Sequence, residues 1–502
     1  MSMPPPPPPM PPISFIPPPL RFRCTFSGTI CDAMRRRGWQ QSPEPSILSR
    51  EVNSDWSLFF CDMTQFRDAM INVTNYRPLL DYQRLGHFRN CQEISRKNNL
   101  VKNLKRFRGR LERAFGKATG DKCLFMPETF ILPSEHSKFL AEFRTNSDTL
   151  WIIKPAAGAQ GRGIFIFKSP TDYLTWRTTF DYDNASNDDP LTDNNNAPIT
   201  CVTTNDQPQQ QSQNLSPRID TRADTYVVQK YITDPYLIGG RKFDIRFYVL
   251  VTSFTPLRCY IYREGFARFS AGQFSLDALQ DVYIHLTNVA IQKTSEDYNP
   301  EKGSKWSLQS LREYLSARHG REKVQGLFNT IDMIVIRTLQ SAVGLVSGDP
   351  HCFEVYGFDV LIDRMLKPWL LEVNASPAFT PSNEEDYVLK LGLIDDTATV
   401  LDLEGRLTTL EIRIGGYDLL YDDGPVYANP NDSGHAIGWD NGRKLNSFLG
   451  CKNDRVPQLR DLHRSASILK SLIPSEPQEI LKLRNRKSNN KDDRFLMPPA
   501  LP

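Results

Sequence analysis

The segment over residues 352–374, CFEVYGFDVLIDRMLKPWLLEVN, most constrains what this chain folds into. It reads as two strands around a turn at 363–367, because β-branched and aromatic residues flank a polar break. Three polar residues interrupt it: Asp359 in GFDVLID, and Glu372 and Asn374 in WLLEVNASP. Residues two apart on a strand face the same side, so Glu372 and Asn374 point together. Asp359 joins them if the strands pair across the turn. Two carboxylates and an amide oxygen are the hard ligands that Mg2+ takes, with waters and phosphates as the others. The plainer alternative is a strand with a polar solvent face. The apolar run Trp369, Leu370, Leu371 weighs against it, since a buried unpaired carboxylate is costly and a metal or cationic partner removes that cost.

Three further clusters carry chemistry. Trp151, Ile152, Ile153, Lys154 and Pro155 lead into Gly158, Gly161 and Gly163. A lysine-bearing strand before a glycine-rich turn brings backbone N–H groups and a point charge close to phosphate oxygens. The order GxxxxGK[ST] is absent, and so are the third glycine, HRD and DFG of a kinase, so neither a P-loop nor a kinase loop is present. In GGRKFDIR, Lys242, Asp244 and Arg246 share one strand face by alternation, with Arg268 on the next candidate strand in GFARFS. Converging cations suit a transferring phosphoryl group or an acyl phosphate; an amphipathic strand with salt bridges fits that segment equally well. In HLTN, Thr287 and Asn288 either cap the next element or contact a ligand.

The rest of the chain sets the frame. Its 502 residues correspond to about three domains. With 61 basic and 58 acidic residues the net charge is +3, which gives no overall nucleic-acid signature and makes any charged surface local. Apolar runs such as residues 248–251 are too short to enter a membrane as a span, and no signal peptide is expected. Nine singly scattered cysteines read as reduced thiols of a cytoplasmic protein. Residues 1–20 are a proline-rich tail expected to be disordered. Residues 21–150 read as an N-terminal α/β domain, with a strand at WSLFF and a helix from the spacing of Leu100, Leu104, Phe107, Leu111 and Phe115. Between residues 84 and 117 lie eleven Lys and Arg against two Glu, either a solvated face or a surface for an acidic partner. Residues 181–224 are low-complexity and polar, a disordered insertion within a catalytic region spanning 151–424. Strands are expected over 225–270 and helices over 306–345 and 384–406. Residues 425–502 read as a largely irregular extension.

Taken in order, IIKP, QGRGI, VVQKYI, GGRKFDIRFYV, GFARFS, HLTNVAIQK, KGSKW, GFDVLID and WLLEVNASP resemble the tubulin tyrosine ligase-like family over about residues 24–451, with 181–224 inserted. The resemblance implies an α/β (α+β) chain with an ATP-grasp core of antiparallel sheets beside a small N-terminal α/β domain. It implies ATP and Mg2+, in two ions, as cofactors. Lys154 would contact the phosphates, Gln160, Gly161, Arg162 and Gly163 would form a phosphate lid, and Gln229, Lys230, Tyr231 and Ile232 would run beside adenine. Lys242 and Asp244 would touch the nucleotide, with Thr287 and Asn288 near the phosphates. Asp359, Glu372 and Asn374 would hold the metal. Arg268 and Lys390 would grip the incoming amino acid, with Ser304 and Lys305 nearby, and Arg246 would steady an acyl phosphate.

The reaction implied is transfer of free glutamate to glutamate side chains of acidic tubulin tails. A glycine ligase of the same fold, a small-molecule ligase and a non-catalytic microtubule scaffold are the alternatives. The sequence departs from many members in having Val289 after HLTN, and it lacks a long basic extension, which implies accessory subunits or weak activity alone. Microtubules, cytoskeleton, cilium or flagellum and basal body are expected by resemblance. Neither nucleic-acid binding nor membrane insertion is expected.

Overall fold

The computed structural model describes residues 20–26, 28–42, 56–75, 79–158, 161–185, 225–295, 305–428, 438–440 and 443–472. The proline-rich tail up to residue 19, most of the low-complexity stretch (186–224) and residues 473–502 lie outside the described residues. The chain divides into two units, Met1–Gly86 with Phe379–Arg406, and His87–Ala378 with Leu407–Pro502.

In the first unit, β1 (Arg21–Cys24) pairs in parallel with β2 (Gln40–Gln41) and β3 (Leu58–Phe60), and β3 pairs in parallel with β4 (Arg84–Gly86). Two helices, Thr29–Arg36 and Glu384–Leu401, pack together here. Arg37 ties them, reaching Asp395 Oδ1 at 2.8 Å and Glu404 Oε2 at 2.6 Å. The Asn383 side chain accepts the Asp386 N–H at 2.9 Å, and Glu384, Glu385 and Asp386 fill the first turn. A capping amide and acids near the N-terminus explain why the helix starts there.

Besides a two-stranded antiparallel pairing of Gly438–Asp440 with Arg443–Leu445, the second unit holds two antiparallel sheets among the described residues. The smaller contains β5 (Thr129–Leu132), β6 (Trp151–Pro155), β7 (Phe165–Phe167) and β8 (Tyr226–Lys230) in the order β5-β8-β6-β7. Its covered face is aromatic: Phe130, Phe139, Phe143, Trp151, Phe167 and Tyr173 are all buried together. The glycine-rich turn therefore lies between two strands, β6 and β7, before the helix Pro170–Ala185 begins. That helix extends past residue 180, where the low-complexity stretch was expected to start.

The larger sheet is built on β9 (Leu237–Ile238), β10 (Arg241–Phe254), β11 (Leu257–Phe269), β12 (Lys305–Ser307), β13 (Cys352–Ile362), β14 (Pro368–Asn374), β15 (Arg413–Ile414) and β16 (Tyr417–Asp422). The path β15-β16-β11-β10-β13 carries β14 on β13, β12 on β11 and β9 on β10. Every residue of β13 is buried, which suits a strand of near-continuous apolar sequence. The helices Leu308–His319 and Arg321–Ala342 meet the expectation for 306–345. The stretch past 425, read as largely irregular, also contains the helix Arg455–Leu472. The segment before that helix is held by the fully buried Arg263, which bonds Asp418 Oδ2 at 3.0 Å and Asp454 Oδ1 at 2.7 Å.

Among the described residues, no helix is long and apolar enough to cross a membrane. The eight described cysteines are all free, and Cys201 lies outside the described residues.

Candidate active site

The second unit contains an open cleft. The smaller sheet contributes Lys154, Gln229 and Lys230, followed in the chain by Tyr231 and Ile232. The larger sheet contributes Lys242, Asp244, Arg268, Asp359 and Glu372. Gly158, Gly161 and Arg162 come from the glycine-rich turn, and Leu286, Thr287 and Asn288 from the loop after His285. Gly161 has φ +75, and a Cβ placed on it would run into the Ile291 side chain. The left-handed backbone is what favours glycine there, since the Ile291 tip can shift. Gln160 lies outside the described residues.

The hairpin reading of 352–374 gives the carboxylate geometry directly. Asp359 sits opposite Glu372, and Gly357 opposite Asn374. The Asn374 amide nitrogen is 3.4 Å from Asp359 Oδ2 and 3.3 Å from Glu372 Oε1, so all three side chains meet.

Cations surround them. Arg246 donates to Asp359 through Nε, and through Nη2 at 2.7 Å. Arg268 donates to Asp244 Oδ1 at 2.7 Å and Oδ2 at 2.6 Å, and lies 3.0 Å from Asp359 Oδ2. Thr287 Oγ1 donates to Asp244 Oδ2 at 2.6 Å. The result is one bonded row: Thr287, Asp244, Arg268, Asp359, Arg246. Burial pushes the Asp359 carboxyl up, but the guanidinium groups of Arg246 and Arg268 outweigh it and hold it well below the usual carboxylate range.

Two lysines lie in the cleft without a carboxylate bonded to them among the described residues. Lys154 Nζ donates to Gln229 Oε1 at 2.9 Å, and Gln229 Nε2 donates in turn to Thr129 Oγ1 at 2.9 Å. Lys242 Nζ donates to Tyr231 Oη at 3.0 Å and to the His285 carbonyl at 2.8 Å. His285 Nε2 lies 3.0 Å from the Ala278 carbonyl, so that nitrogen carries the proton. Nδ1 then accepts from the Tyr231 hydroxyl at 2.9 Å, which leaves the phenol oxygen to accept from Lys242. Burial lowers Lys154 to about 8, against the pull of Glu372 and with the repulsion of Lys97. Burial and then Lys154 lower Lys242 to about 7, with Asp244 opposing. Cations depressed in this way mark a place prepared for an anion.

Not every expected residue reaches this cleft. Lys390 belongs to the first unit, where its ammonium bonds the Thr380 carbonyl at 2.7 Å and Asp386 Oδ2 at 3.1 Å. Lys305 stands opposite Arg268 in the strand register, with its ammonium 4.8 Å from the Phe266 ring centroid. Asn288, which does line the cleft, occupies the N-cap position of the short helix Val289–Gln292 without a side-chain capping bond. Ser304 lies outside the described residues.

Lys97 was not singled out from the sequence. It opens the helix Lys97–Phe115, lines the cleft, donates to the Gly158 carbonyl at 2.9 Å and pairs with Glu372 Oε2 at 3.1 Å. Its only sequence signal was membership of the basic segment.

The carboxylates fit a hard divalent cation. Both contribute oxygen to the cleft, Glu372 is 24% exposed in its side chain, and rotating the Asn374 amide turns its oxygen to the same place.

A site of this kind, with buried lysines facing a carboxylate pair, defines a class of proteins that handle polyphosphates. The chain belongs to the tubulin-tyrosine ligase family, whose sequence profile matches residues 74–406. It is thus an ATP-dependent ligase, and its mixed α/β architecture is consistent with the ATP-grasp-like fold of that family. The chain is 44% identical over 457 residues to the Bos taurus protein called "Probable tubulin polyglutamylase TTLL9", covering 89% of this chain and 93% of that one. It is 45% identical over 453 residues to the Rattus norvegicus protein of the same name, covering 90% and 94%. To the Caenorhabditis elegans "Probable tubulin polyglutamylase ttll-9" it is 39% identical over 401 residues, covering 80% and 84%.

Proposed function

We propose that the chain joins free glutamate to glutamate side chains in the acidic C-terminal tails of tubulin, with ATP and Mg2+. The observation that carries this reading is the convergence of Lys154 and Lys242 with Asp359 and Glu372 on one cleft, with the Asn374 side chain against both carboxylates. The choice of tubulin and of glutamate is supported by the polyglutamylase names of the relatives.

In this reading Lys154, Lys242 and Arg162 take the polyphosphate beneath Gly161 and Gly163, with Thr287 and Asn288 beside it. Adenine lies along Gln229, Lys230, Tyr231 and Ile232, and Asp244 contacts the nucleotide. Asp359, Glu372 and Asn374 hold the Mg2+, which when bound supplies positive charge to the phosphates. An acceptor carboxylate oxygen attacks the γ-phosphorus and ADP leaves, giving an acyl phosphate. The donor amine then attacks the acyl carbon, phosphate departs, and the nitrogen gives up a proton as the amide forms. Arg246 and Arg268 offset the negative charge that develops. Arg268 receives a carboxylate of the donor, with Lys305 opposite it in the strand register. No protein nucleophile enters the scheme.

Isolated protein supplied with microtubules, Mg-ATP and one labelled amino acid at a time is expected to incorporate glutamate. Incorporation of glycine in its place would overturn the choice of donor and favour the glycine ligase.

Nucleotide binding is also expected to be linked to protons. A polyphosphate set between Lys154 (about 8) and Lys242 (about 7) raises both values toward those of free lysine. Binding at pH 8 therefore takes up protons, and affinity falls as pH rises through 7–9. In the unliganded protein the sign is different. The unfolded chain binds more protons above about 7, so these two groups make stability rise with pH toward 10. Calorimetric titration in two buffers of unlike ionisation enthalpy measures the uptake; equal heats in both would contradict it.

A further inference from the structure

We propose that the outer face of the helix Lys97–Phe115 is the track on which an acidic peptide lies while one of its carboxylates occupies the cleft. This rests on the tubulin-tail reading above and adds where the tail runs.

Lys102, Arg106, Arg110 and Arg113 are spaced so that, at about 100° per residue, all four fall within an arc of about 80° on one side of the helix. Each is exposed, while Leu100, Val101, Asn103 and Leu104 are buried. Among the described residues no carboxylate forms an ion pair with any of the four. Arg106 donates only to Asn103, and Arg110 lies 5.6 Å from the Phe107 ring centroid. The flanking cations of the same helix are neutralised. Lys105 is 2.8 Å from Glu135 Oε2, and Arg108 is 2.8 Å from Glu112 and 3.5 Å from Asp121. The local acids thus satisfy the neighbouring positions and leave one stripe bare.

Like charges three and four residues apart destabilise a helix, so a bare stripe is explained better by an anionic partner than by folding. The stripe also has a direction. Its helix starts at Lys97, whose ammonium sits in the cleft against Glu372 on the opposite side of the helix from the stripe, so the peptide crosses over the helix N-terminus to put its carboxylate in the cleft. From Lys102 to Arg113 the rise is roughly 17 Å, which about five residues of extended peptide span. A polycarboxylate fits better than a nucleic acid, because the proposed reaction in the cleft needs a carboxylate at the end of the track and the chain as a whole is only +3.

The test is fluorescence polarisation with the full chain and a labelled ten-residue glutamate-rich peptide at two salt concentrations. The stripe variant K102Q/R106Q/R113Q is compared with wild type and with a charge-matched control, R318Q/R321Q/K323Q, at exposed positions on the helices Leu308–His319 and Arg321–Ala342. The stripe variant is expected to keep the wild-type melting temperature, bind the peptide at least tenfold more weakly, and show a shallower salt dependence, whereas the control changes less than twofold. Equal binding by stripe variant and wild type, or no binding by wild type, overturns the track. So does an RNA oligonucleotide or a phosphatidylserine vesicle that binds more tightly than the peptide through the same residues. If wild type fails to ligate onto tubulin while peptide binding still depends on the stripe, the tubulin reading falls and the track stands. If both proteins ligate onto tubulin with the same KM, the reading stands and the track falls.

Discussion

Glu372→Gln is expected to lower ligation at least about a hundredfold while leaving the fold intact, because removing a metal-binding charge withdraws several kcal/mol from the reacting phosphoryl group and each 1.4 kcal/mol is a factor of ten. Glutamine keeps the shape of the side chain and its place on β14 opposite Asp359. What it gives up structurally is the pairing with Lys97 at 3.1 Å, and the Glu372 side chain is 24% exposed there. Pairs of that kind contribute about 0–1 kcal/mol. The melting temperature should therefore move little. Turnover on tubulin and thermal unfolding, measured on the same preparation, separate the two effects. Wild-type turnover in this variant would remove Glu372 from the chemistry and favour the scaffold.

Arg268→Ala is expected to do the opposite, damaging stability as well as activity. Arg268 is the central link of the buried row, bonded to Asp244 through two nitrogens and close to Asp359. Asp244 and Asp359 are only 3% and 2% exposed. Breaking a buried pair from one side leaves an uncompensated carboxylate, at about 3–5 kcal/mol. Thr287 still donates to Asp244, and Arg246 still donates to Asp359, which places the loss toward the lower end. Arg268→Lys should fall between wild type and alanine, since an ammonium keeps the charge but not the two-pronged geometry. Denaturant unfolding checks the order. If alanine unfolds at the wild-type midpoint, the row is not what holds this wall of the cleft.

The centre of the site was the most legible part of the sequence. Strand alternation alone placed Glu372 beside Asn374, and the length of the 363–367 break allowed Asp359 to face them, as the register now records. Alternation likewise put Lys242 and Asp244 on one face of β10, and both line the cleft. What alternation does not carry is the partner of each charge. Nothing in GGRKFDIR or GFARFS tells that Arg268 spends its guanidinium on Asp244 as well as Asp359, because that pairing depends on how β10 and β11 register, Asp244 against Arg268.

Lys97 escaped notice because a cation in a basic helix looks like any other. Only the approach of the helix start to Gly158 and Glu372 separates it from Lys102. The strand β7 was missed since FIF is short and follows a turn that leads as naturally into a helix. The return of Phe379–Arg406 to the first unit has no local marker either. It is written in long-range pairs such as Arg37 with Asp395 and Glu404, whose partners lie more than 350 positions apart.

The central claim is that this cleft adds glutamate to tubulin tails. Mass spectrometry of tubulin C-terminal tails, after incubation with the protein, glutamate and Mg-ATP, tests it most directly. The account predicts glutamyl increments on tail glutamates that appear only with ATP and vanish with Glu372→Gln. Tails that stay unmodified, or that gain glycine when both amino acids are offered, would contradict it.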